Sequence, residues 1–301
     1  MIFLFRLLGL LPLPLLHALG KLLGWAYYLA SPRYRQRIAQ NLPVGIPQRA
    51  RVLRRHVGEI GKQALELAWA WTCTAAQIRA RCHIVDAAGF TALLAEDRAL
   101  LLLTPHLGCF EVVAQNHMVQ ESTRHRPMLA LYRIPRKAGL RPLFESTRRR
   151  HGLLLAPADL SGVRLMLRAL RDRQVVGLLP DQVPSRGEGV WAPFFGRPAF
   201  TMTLPARLAL AHNARVVLMF GERLGWGAGY RIHWQALDES LCGDPALDAA
   251  AINRAMERLI LRCPEQYLWS YNRYKQPPGV EAPPVDLPAG TSAPTAPERP
   301  A

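Results

Sequence analysis

The chain has 301 residues, of which 50% are hydrophobic, and it carries a net charge of +16. This length allows one large α/β domain or two small ones with a substantial core, and the charge indicates an anionic partner. Nucleic acid is a poor candidate, because the basic residues are spread over most of the chain and no nucleic-acid-binding signature occurs. An anionic membrane surface or an acidic protein fits the strongly apolar N-terminus better.

The first 30 residues are mostly Leu, Phe, Gly, Trp and Tyr, and they predict a retained membrane anchor. Two forms of anchor stay open, one spanning helix or a helix pair lying in the membrane interface. No Ala-x-Ala site precedes Ser31, which disfavours a cleaved signal peptide. Three arginines follow directly and place the rest of the chain in the cytoplasm, namely Arg33, Arg35 and Arg37.

The next part of the chain, 31–276, alternates between helical and strand patterns after a long helical pattern at 46–72. Strands are predicted at 99–103, 127–131, 153–156, 175–179, 216–220 and 230–235, and helices at 109–119, 138–150, 160–172, 201–212 and 246–262. Such alternation predicts an α/β domain with a largely parallel central sheet flanked by helices. The remaining 277–301 is a Pro-rich segment that cannot pack a core, and it predicts a disordered tail.

The stretch 99–113 carries the best candidate for catalysis. Its apolar start predicts a strand buried on both faces, and Pro105 ends that strand. His106 therefore stands at the exit of the strand, while Glu111 falls in the first turn or two of the next helix. A carboxylate on one ring nitrogen fixes the tautomer and leaves the other nitrogen as a base. The pair predicts a dyad that activates a hydroxyl.

The spacing alone is not specific, because His233 and Asp238 repeat it. His233 lies within an alternating run that predicts a half-buried strand, which favours a structural role. Cys109 lies three residues from His106 and is an alternative nucleophile. Packing of the first helical turn is the favoured role for that thiol, since the dyad needs no covalent partner. The five cysteines are odd in number and without zinc-type pairing, which indicates reduced thiols and no metal site.

Other polar residues follow the remaining predicted strands. The carboxyl ends of parallel strands meet at one edge of a sheet, where ligands bind. The residues expected there are Tyr132, Arg133, Asp159, Asp181, Gln182, Glu222 and Arg223. Each of them singly is more often a cap or a surface charge, so the prediction depends on their joint occurrence.

The segment 185–196 is a glycine-punctuated loop that ends in Phe194 and Phe195, and it predicts a pocket wall or lid. It is not a phosphate loop, and no nucleotide-binding or G-x-S-x-G motif occurs elsewhere. Two interpretations of Arg148, Arg149 and Arg150 stay open, a solvated helix end or a phosphate-binding cluster.

Several motifs in order resemble one family. His106-Leu107-Gly108-Cys109-Phe110-Glu111 resembles the His-x-x-x-x-Asp/Glu motif of the lysophospholipid acyltransferase superfamily, and the form that ends in Glu is similar to the bacterial lipid A late acyltransferases. The resemblance extends over most of 1–278 through further motifs, which are Tyr132-Arg133, Arg148-x-Arg150-x-Gly152, Leu179-Pro180-Asp181-Gln182, Phe194-Phe195-Gly196 and Gln266-Tyr267-Leu268-Trp269 with Arg273 and Lys275.

This resemblance implies a glycerolipid acyltransferase-like fold at the cytoplasmic face of the bacterial inner membrane. The implied reaction transfers an acyl chain from acyl carrier protein to a hydroxyl of a phosphorylated glycolipid, a tetraacylated lipid A precursor that bears Kdo. His106 would be the general base with Glu111 as its partner. Acyl-ACP would be a co-substrate, and the reaction would need no cofactor and no metal. The implied substrate-binding residues are Arg133, Arg148, Arg150, Asp181 and Gln182, with Phe194 and Phe195 against the acyl chain.

Two other functions stay open. The same chemistry could serve another acceptor, such as a lysophospholipid, an aminolipid or another glycolipid. The chain could also be a non-catalytic membrane lipid-binding protein on an inactive acyltransferase fold, although an intact dyad argues against that function.

Overall fold

The computed structural model describes residues 2–123, 125–132 and 150–284. Its strands are β1 (Cys82–Ile84), β2 (Leu100–Leu103), β3 (Met128–Tyr132), β4 (Leu154–Pro157), β5 (Val175–Leu178), β6 (Gly189–Phe194), β7 (Arg197–Met202), β8 (Arg215–Arg223) and β9 (Tyr230–Ala236). Its helices are α1 (Ile2–Gly9), α2 (Leu13–Ala30), α3 (Pro32–Asn41), α4 (Arg49–Thr72), α5 (Ala75–Arg81), α6 (Ala87–Ala95), α7 (Phe110–Val119), α8 (Leu160–Arg171), α9 (Leu204–Ala211) and α10 (Pro245–Leu261).

Seven strands form the central sheet in the order β1-β9-β8-β2-β5-β3-β4. Strands β8, β2, β5, β3 and β4 are mutually parallel, whereas β9 is antiparallel to β8 and β1 runs parallel to β9. The largely parallel sheet predicted from the alternating pattern is confirmed. Its carboxyl edge gathers the chain segments that follow β2 and β5, which are neighbours in the sheet.

Strand β2 lies at the centre of the sheet, and all four of its leucines are buried. Leu101 and Leu103 pack into a core formed with α3, α8, α9 and α10, while Leu100 and Leu102 pack into a second core formed with α2, α4, α6 and α7. Alternate side chains of a strand point to opposite faces, so the continuous apolar run fills both cores. The prediction of a strand buried on both faces is confirmed.

Two predicted boundaries are wrong at the carboxyl edge. Glu222 and Arg223 were expected in a loop, but they are the last residues of β8, because β9 pairs with β8 as far as Arg223 and Tyr230. The segment 185–196 was expected to be a loop, but half of it, Gly189–Phe194, is β6, which forms an antiparallel hairpin with β7. The backbone reverses at Phe195 and Gly196, both with positive φ. The helix expected at 138–150 falls almost wholly outside the described residues.

The N-terminal segment consists of two helices, α1 and α2, that are separated at Pro12. Gly20 and Gly24 of α2 lie against the backbone of α4 at Gly61, where a Cβ on any of the three would collide with the other helix. Glycine thus permits an unusually close helix pair. Within the described residues, no helix combines the length and hydrophobicity needed to cross a membrane.

Candidate active site

A tight turn carries the chain from β2 into α7 and exposes His106 at the carboxyl edge of the sheet. Gly108 has a φ of +59°, and a Cβ on it would collide with the carbonyl of Gly221. The turn is tied down by backbone hydrogen bonds from Gly108 N to Gln266 O at 3.1 Å and from Cys109 N to Gly221 O at 2.8 Å. Glycine is therefore required at this position, since only glycine combines that φ with so close an approach.

Asp181 is the carboxylate that holds His106. His106 Nδ1 donates to Asp181 Oδ1 at 2.7 Å, and the backbone N–H of His106 donates to Asp181 Oδ2 at 2.8 Å. Asp181 follows β5, and β5 is hydrogen-bonded to β2, so the two loops emerge side by side. The carboxylate thus fixes both the ring and the backbone of the histidine.

The surroundings of Asp181 keep it ionised. Burial opposes its charge, but the electrostatic interaction and the hydrogen bonds with His106 outweigh burial, and the pKa of Asp181 falls below its ordinary value. Arg273, which is buried and donates to Phe200 O and Thr201 Oγ1, adds a favourable charge. Tyr267 hydrogen-bonds to Asp181 through its phenol, and burial raises the pKa of that phenol well above its usual range, so it remains a donor.

The second ring nitrogen of His106, Nε2, faces the side chain of Gln182. Gln182 Nε2 lies 3.2 Å from His106 Nε2, where the amide N–H donates to the ring nitrogen. In the neutral ring tautomer with Nδ1 as the donor to Asp181, Nε2 is the nitrogen that accepts a hydrogen bond. The His106 side chain is 14% exposed, so Nε2 is within reach of a bound hydroxyl. This geometry is that of a general base oriented by a carboxylate.

The carboxylate seen against His106 is that of Asp181, and the predicted pairing of His106 with Glu111 stays a prediction. Glu111 lies in the first turn of α7 and is buried, and Asp181 accepts one hydrogen bond from the ring and one from the backbone of His106. The turn at Gly108 leads into α7, whose first residue, Phe110, packs its ring 4.9 Å from the ring of His106, and the ring nitrogens of His106 face the loop after β5.

Cys109, the alternative nucleophile, is fully buried at the start of α7. Burial, together with the nearby charge of Glu66, raises the pKa of the Cys109 thiol well above its usual range. The thiolate is the nucleophilic form of cysteine. The fraction of thiolate at neutral pH is therefore small, which agrees with a packing role.

A buried charge network behind the turn was not predicted from the sequence. Arg223 forms hydrogen-bonded ion pairs with Glu59, at 2.7 Å, and with Glu66, whose Oε2 it meets at 2.7 Å. Tyr230 and His17 also hydrogen-bond to Glu66, and Arg223 holds the pKa of this buried carboxyl at about 2. The sequence feature that could have predicted this network is the carboxylate of Glu66, which lies within the apolar part of α4.

The other candidates have positions and contacts of their own. Tyr132 is buried at the end of β3, and Asp159 caps α8 by accepting from Ser161 N and Gly162 N. Phe194 is fully buried in the core, and Phe195 N donates to Glu257 at the hairpin turn. His233 is structural, as predicted, since it stacks on Phe220 and hydrogen-bonds to Glu222. Of the predicted arginines, Arg133 and Arg148 lie outside the described residues, and only the backbone of Arg150 lies within them.

The chain is similar to known proteins over most of its length. The family model for bacterial lipid A biosynthesis acyltransferases matches residues 1–276. The chain is 26% identical over 286 residues to the lipid A biosynthesis lauroyltransferase of Escherichia coli, with 90% of this chain and 89% of that protein covered. It is 26% identical over 284 residues to the lipid A biosynthesis palmitoleoyltransferase of the same organism, with 90% and 89% covered. A Haemophilus influenzae lipid A biosynthesis acyltransferase is likewise 26% identical, with 91% of this chain and 88% of that protein covered. Because the family match takes in both helices of the N-terminus, the whole sheet and the histidine turn, the chain belongs to the bacterial lipid A biosynthesis acyltransferases and is an acyltransferase.

Proposed function

We propose that this enzyme transfers a fatty acyl chain from the thioester of acyl carrier protein to a hydroxyl of a lipid A precursor, with His106 as the general base. The observation that carries the proposal is the hydrogen bond between His106 Nδ1 and Asp181 at the sheet edge where ligands bind. It supports a neutral imidazole whose Nε2 accepts a proton. Ester formation from a thioester needs such a base and no redox cofactor.

The reaction moves one proton through His106 and one acyl group from sulfur to oxygen. His106 Nε2 takes the proton from the acceptor hydroxyl while the oxygen bonds to the thioester carbonyl carbon. Collapse of the tetrahedral intermediate breaks the carbon–sulfur bond, and the proton on Nε2 passes to the departing thiolate. Asp181 stabilises the imidazolium formed in between. Gln182 gives up its hydrogen bond to Nε2 when the hydroxyl arrives.

The acyl chain passes directly to the acceptor without an acyl-cysteine. The buried Cys109 thiol, whose pKa burial raises, supports this direct route. Cys109→Ala should therefore keep the rate of turnover, and a trapped acyl-cysteine in the wild type would contradict the direct route. Glu111 stays in the proposal as the catalytic partner of His106, and the arginines at 133, 148 and 150 stay as substrate-binding residues, because of their motifs.

The enzyme works at the cytoplasmic face of the inner membrane, with the outward face of α2 in the lipid. One face of α2 is buried against α4, and the opposite face is wholly apolar. The exposed residues of that face are Leu15, Ala18, Leu19, Leu22, Leu23, Ala26 and Leu29. A continuous exposed apolar face of this kind is typical of a helix that lies in a membrane interface. It favours the helix pair over the spanning anchor.

The decisive experiment is mass spectrometry of lipid A from cells that lack the protein, complemented with wild type or with His106→Ala. Loss of one secondary acyl chain, restored only by wild type, is the expected result, and the mass difference identifies the chain. Immunoblotting shows that both forms accumulate equally. Unchanged lipid A together with an altered phospholipid or aminolipid pool would reject lipid A as the acceptor. Binding of acyl-ACP without any turnover would contradict the proposed acyl transfer and favour a lipid-binding function.

A further inference from the structure

A basic cavity of about 510 Å³ opens between α2, α4 and the end of β8. Six basic side chains line it, namely Lys21, Arg51, Arg54, Arg55, Lys62 and Arg223. Gln266 also lines the cavity, and its carbonyl accepts the hydrogen bond from Gly108 N in the histidine turn. The cavity therefore lies directly behind the catalytic turn, and no step of the proposed chemistry uses it.

The lining is built by the sequence of α4. Four of these cations lie on one side of α4. Arg54 and Arg55 come three and four residues after Arg51, and Lys62 comes seven residues after Arg55. Gly58 interrupts this row, and the stem of Lys21 crosses α4 there, with Lys21 Cγ 3.0 Å from the position of a Cβ on Gly58. Because Gly58 has no side chain, Lys21 of α2 can lie beside the cations of α4.

Half of these cations are neutralised by carboxylates, and half are not. Arg223 pairs with Glu59 and Glu66, Lys62 pairs with Glu59 at 2.5 Å, and Arg55 pairs with Glu265 at 3.6 Å.

Lys21 and Arg54 have no ion-pair partner in the part of the chain that is described, and Arg51 donates only to the amide of Gln48 at 2.9 Å. Three positive charges facing one cavity repel one another. A bound anion with several acceptor oxygens would offset that repulsion, and the arginine fork matches phosphate oxygens.

The position of the cavity relative to the outward face of α2 indicates where the phosphate comes from. Lys21 and Trp25 line the cavity and belong to the same helix as the apolar face. Gly225, also in the lining, begins a turn that presents Trp226, which is 95% exposed and has a φ of +54°. Exposed tryptophans beside lysines and arginines are typical of the membrane–water interface. The mouth of the cavity thus lies at headgroup level when α2 lies in the lipid.

We propose that this cavity binds the phosphate group of a membrane lipid through Lys21, Arg51 and Arg54. The proposal relies on the proposed function for the placement of α2 in the membrane. A second copy of the chain is a poor occupant, because each copy carries a net charge of +16. The phosphate belongs either to the acceptor lipid itself or to an anionic phospholipid beside it.

The test uses the full-length double variant Arg51→Ala/Arg54→Ala. The matched control is Arg164→Ala/Arg207→Ala, which removes the same charge from exposed positions on α8 and α9 that do not line the cavity. Both variants are compared with wild type by co-sedimentation with phosphatidylcholine vesicles that carry phosphatidylglycerol, the phosphorylated lipid A precursor, or neither. Kinetics in neutral detergent micelles then separate KM from kcat for the precursor and for acyl-ACP. Circular dichroism checks that each variant is folded.

We expect the cavity variant to lose about tenfold or more in affinity for one type of anionic vesicle, since each lost charge-assisted hydrogen bond is worth on the order of tenfold. Weaker binding to precursor vesicles, with a raised KM for the precursor and a much smaller change in kcat, identifies the acceptor phosphate. Weaker binding to phosphatidylglycerol vesicles alone identifies the surrounding lipid.

Two results would overturn the proposal. One is binding indistinguishable from the control variant on every vesicle. The other is a raised KM for acyl-ACP with lipid binding intact, which would make the cavity a protein-docking site. The vesicle experiment needs no turnover, so it stands even if the enzyme fails to acylate the precursor.

Discussion

Replacing Asp181 by asparagine removes the negative charge that contacts His106 and leaves the volume of the side chain nearly unchanged. Both carboxylate oxygens of Asp181 accept an N–H from His106, one from the ring and one from the backbone. An asparagine has only one acceptor oxygen. One of the two N–H groups must therefore face an NH₂ group.

Either orientation of the asparagine is costly. If the NH₂ faces the ring, the proton moves to Nε2 and the base is lost. If the NH₂ faces the backbone, an unsatisfied N–H costs about 1–3 kcal/mol in the free energy of unfolding, and the imidazolium still lacks its counter-charge. The equivalent exchange in a Ser-His-Asp triad costs about 10⁴ in kcat. We therefore expect kcat to fall by about 10³ to 10⁴, equivalent to about 4–5.5 kcal/mol in the activation barrier.

The assay is steady-state acyl transfer with purified protein, alongside urea unfolding. The matched control is Asp248→Asn, because Asp248 is buried and its two oxygens likewise accept two backbone N–H groups, from Cys242 at 2.8 Å and Gly243 at 3.1 Å. This control should lose similar stability but keep kcat. The reasoning is refuted if Asp181→Asn keeps kcat within about tenfold while Glu111→Gln abolishes turnover, since Glu111 would then orient the base.

Three further substitutions test the packing around the site. Gly108→Ala should cost at least about 1 kcal/mol of stability and most activity, because of the positive φ and the collision at this turn; an unchanged Tm would contradict this. Glu66→Gln should lower the free energy of unfolding by about 1.5–3 kcal/mol in urea titrations, because buried Arg223 loses a charge-assisted hydrogen bond and keeps only Glu59 as a counter-charge; a loss below about 1 kcal/mol would match an exposed pair instead. Burial raises the pKa of Glu257 from 4.5 to about 7. The unfolded chain therefore releases this proton first, and the wild type loses stability as the pH rises from 4.5 to about 7. Glu257→Gln keeps an acceptor for Phe195 N and should raise the free energy of unfolding above pH 7 by up to about 3 kcal/mol, with little effect below pH 4.5; equal gains at both pH values would contradict this.

The sequence by itself determined the elements whose signals are local. The apolar run before Pro105 predicts a strand buried on both faces, and β2 is that strand. The position of His106 at its exit follows from the residues on either side. The alternation of strands and helices predicts the parallel sheet, since every crossover helix must return the chain to the same edge.

Only the tertiary structure decided which groups meet at that edge. Asp181 lies 75 residues after His106 and reaches it because β5 is the neighbour of β2. Strand order arises from the packing of the whole chain and leaves no local pattern, so the sequence favoured Glu111, the nearer carboxylate. The same reason explains the buried pair of Arg223 with Glu66, whose charges come from β8 and α4. Sequence periodicity records which face of an element is apolar, whereas the partner of a charged side chain is chosen by contacts between elements far apart in the chain.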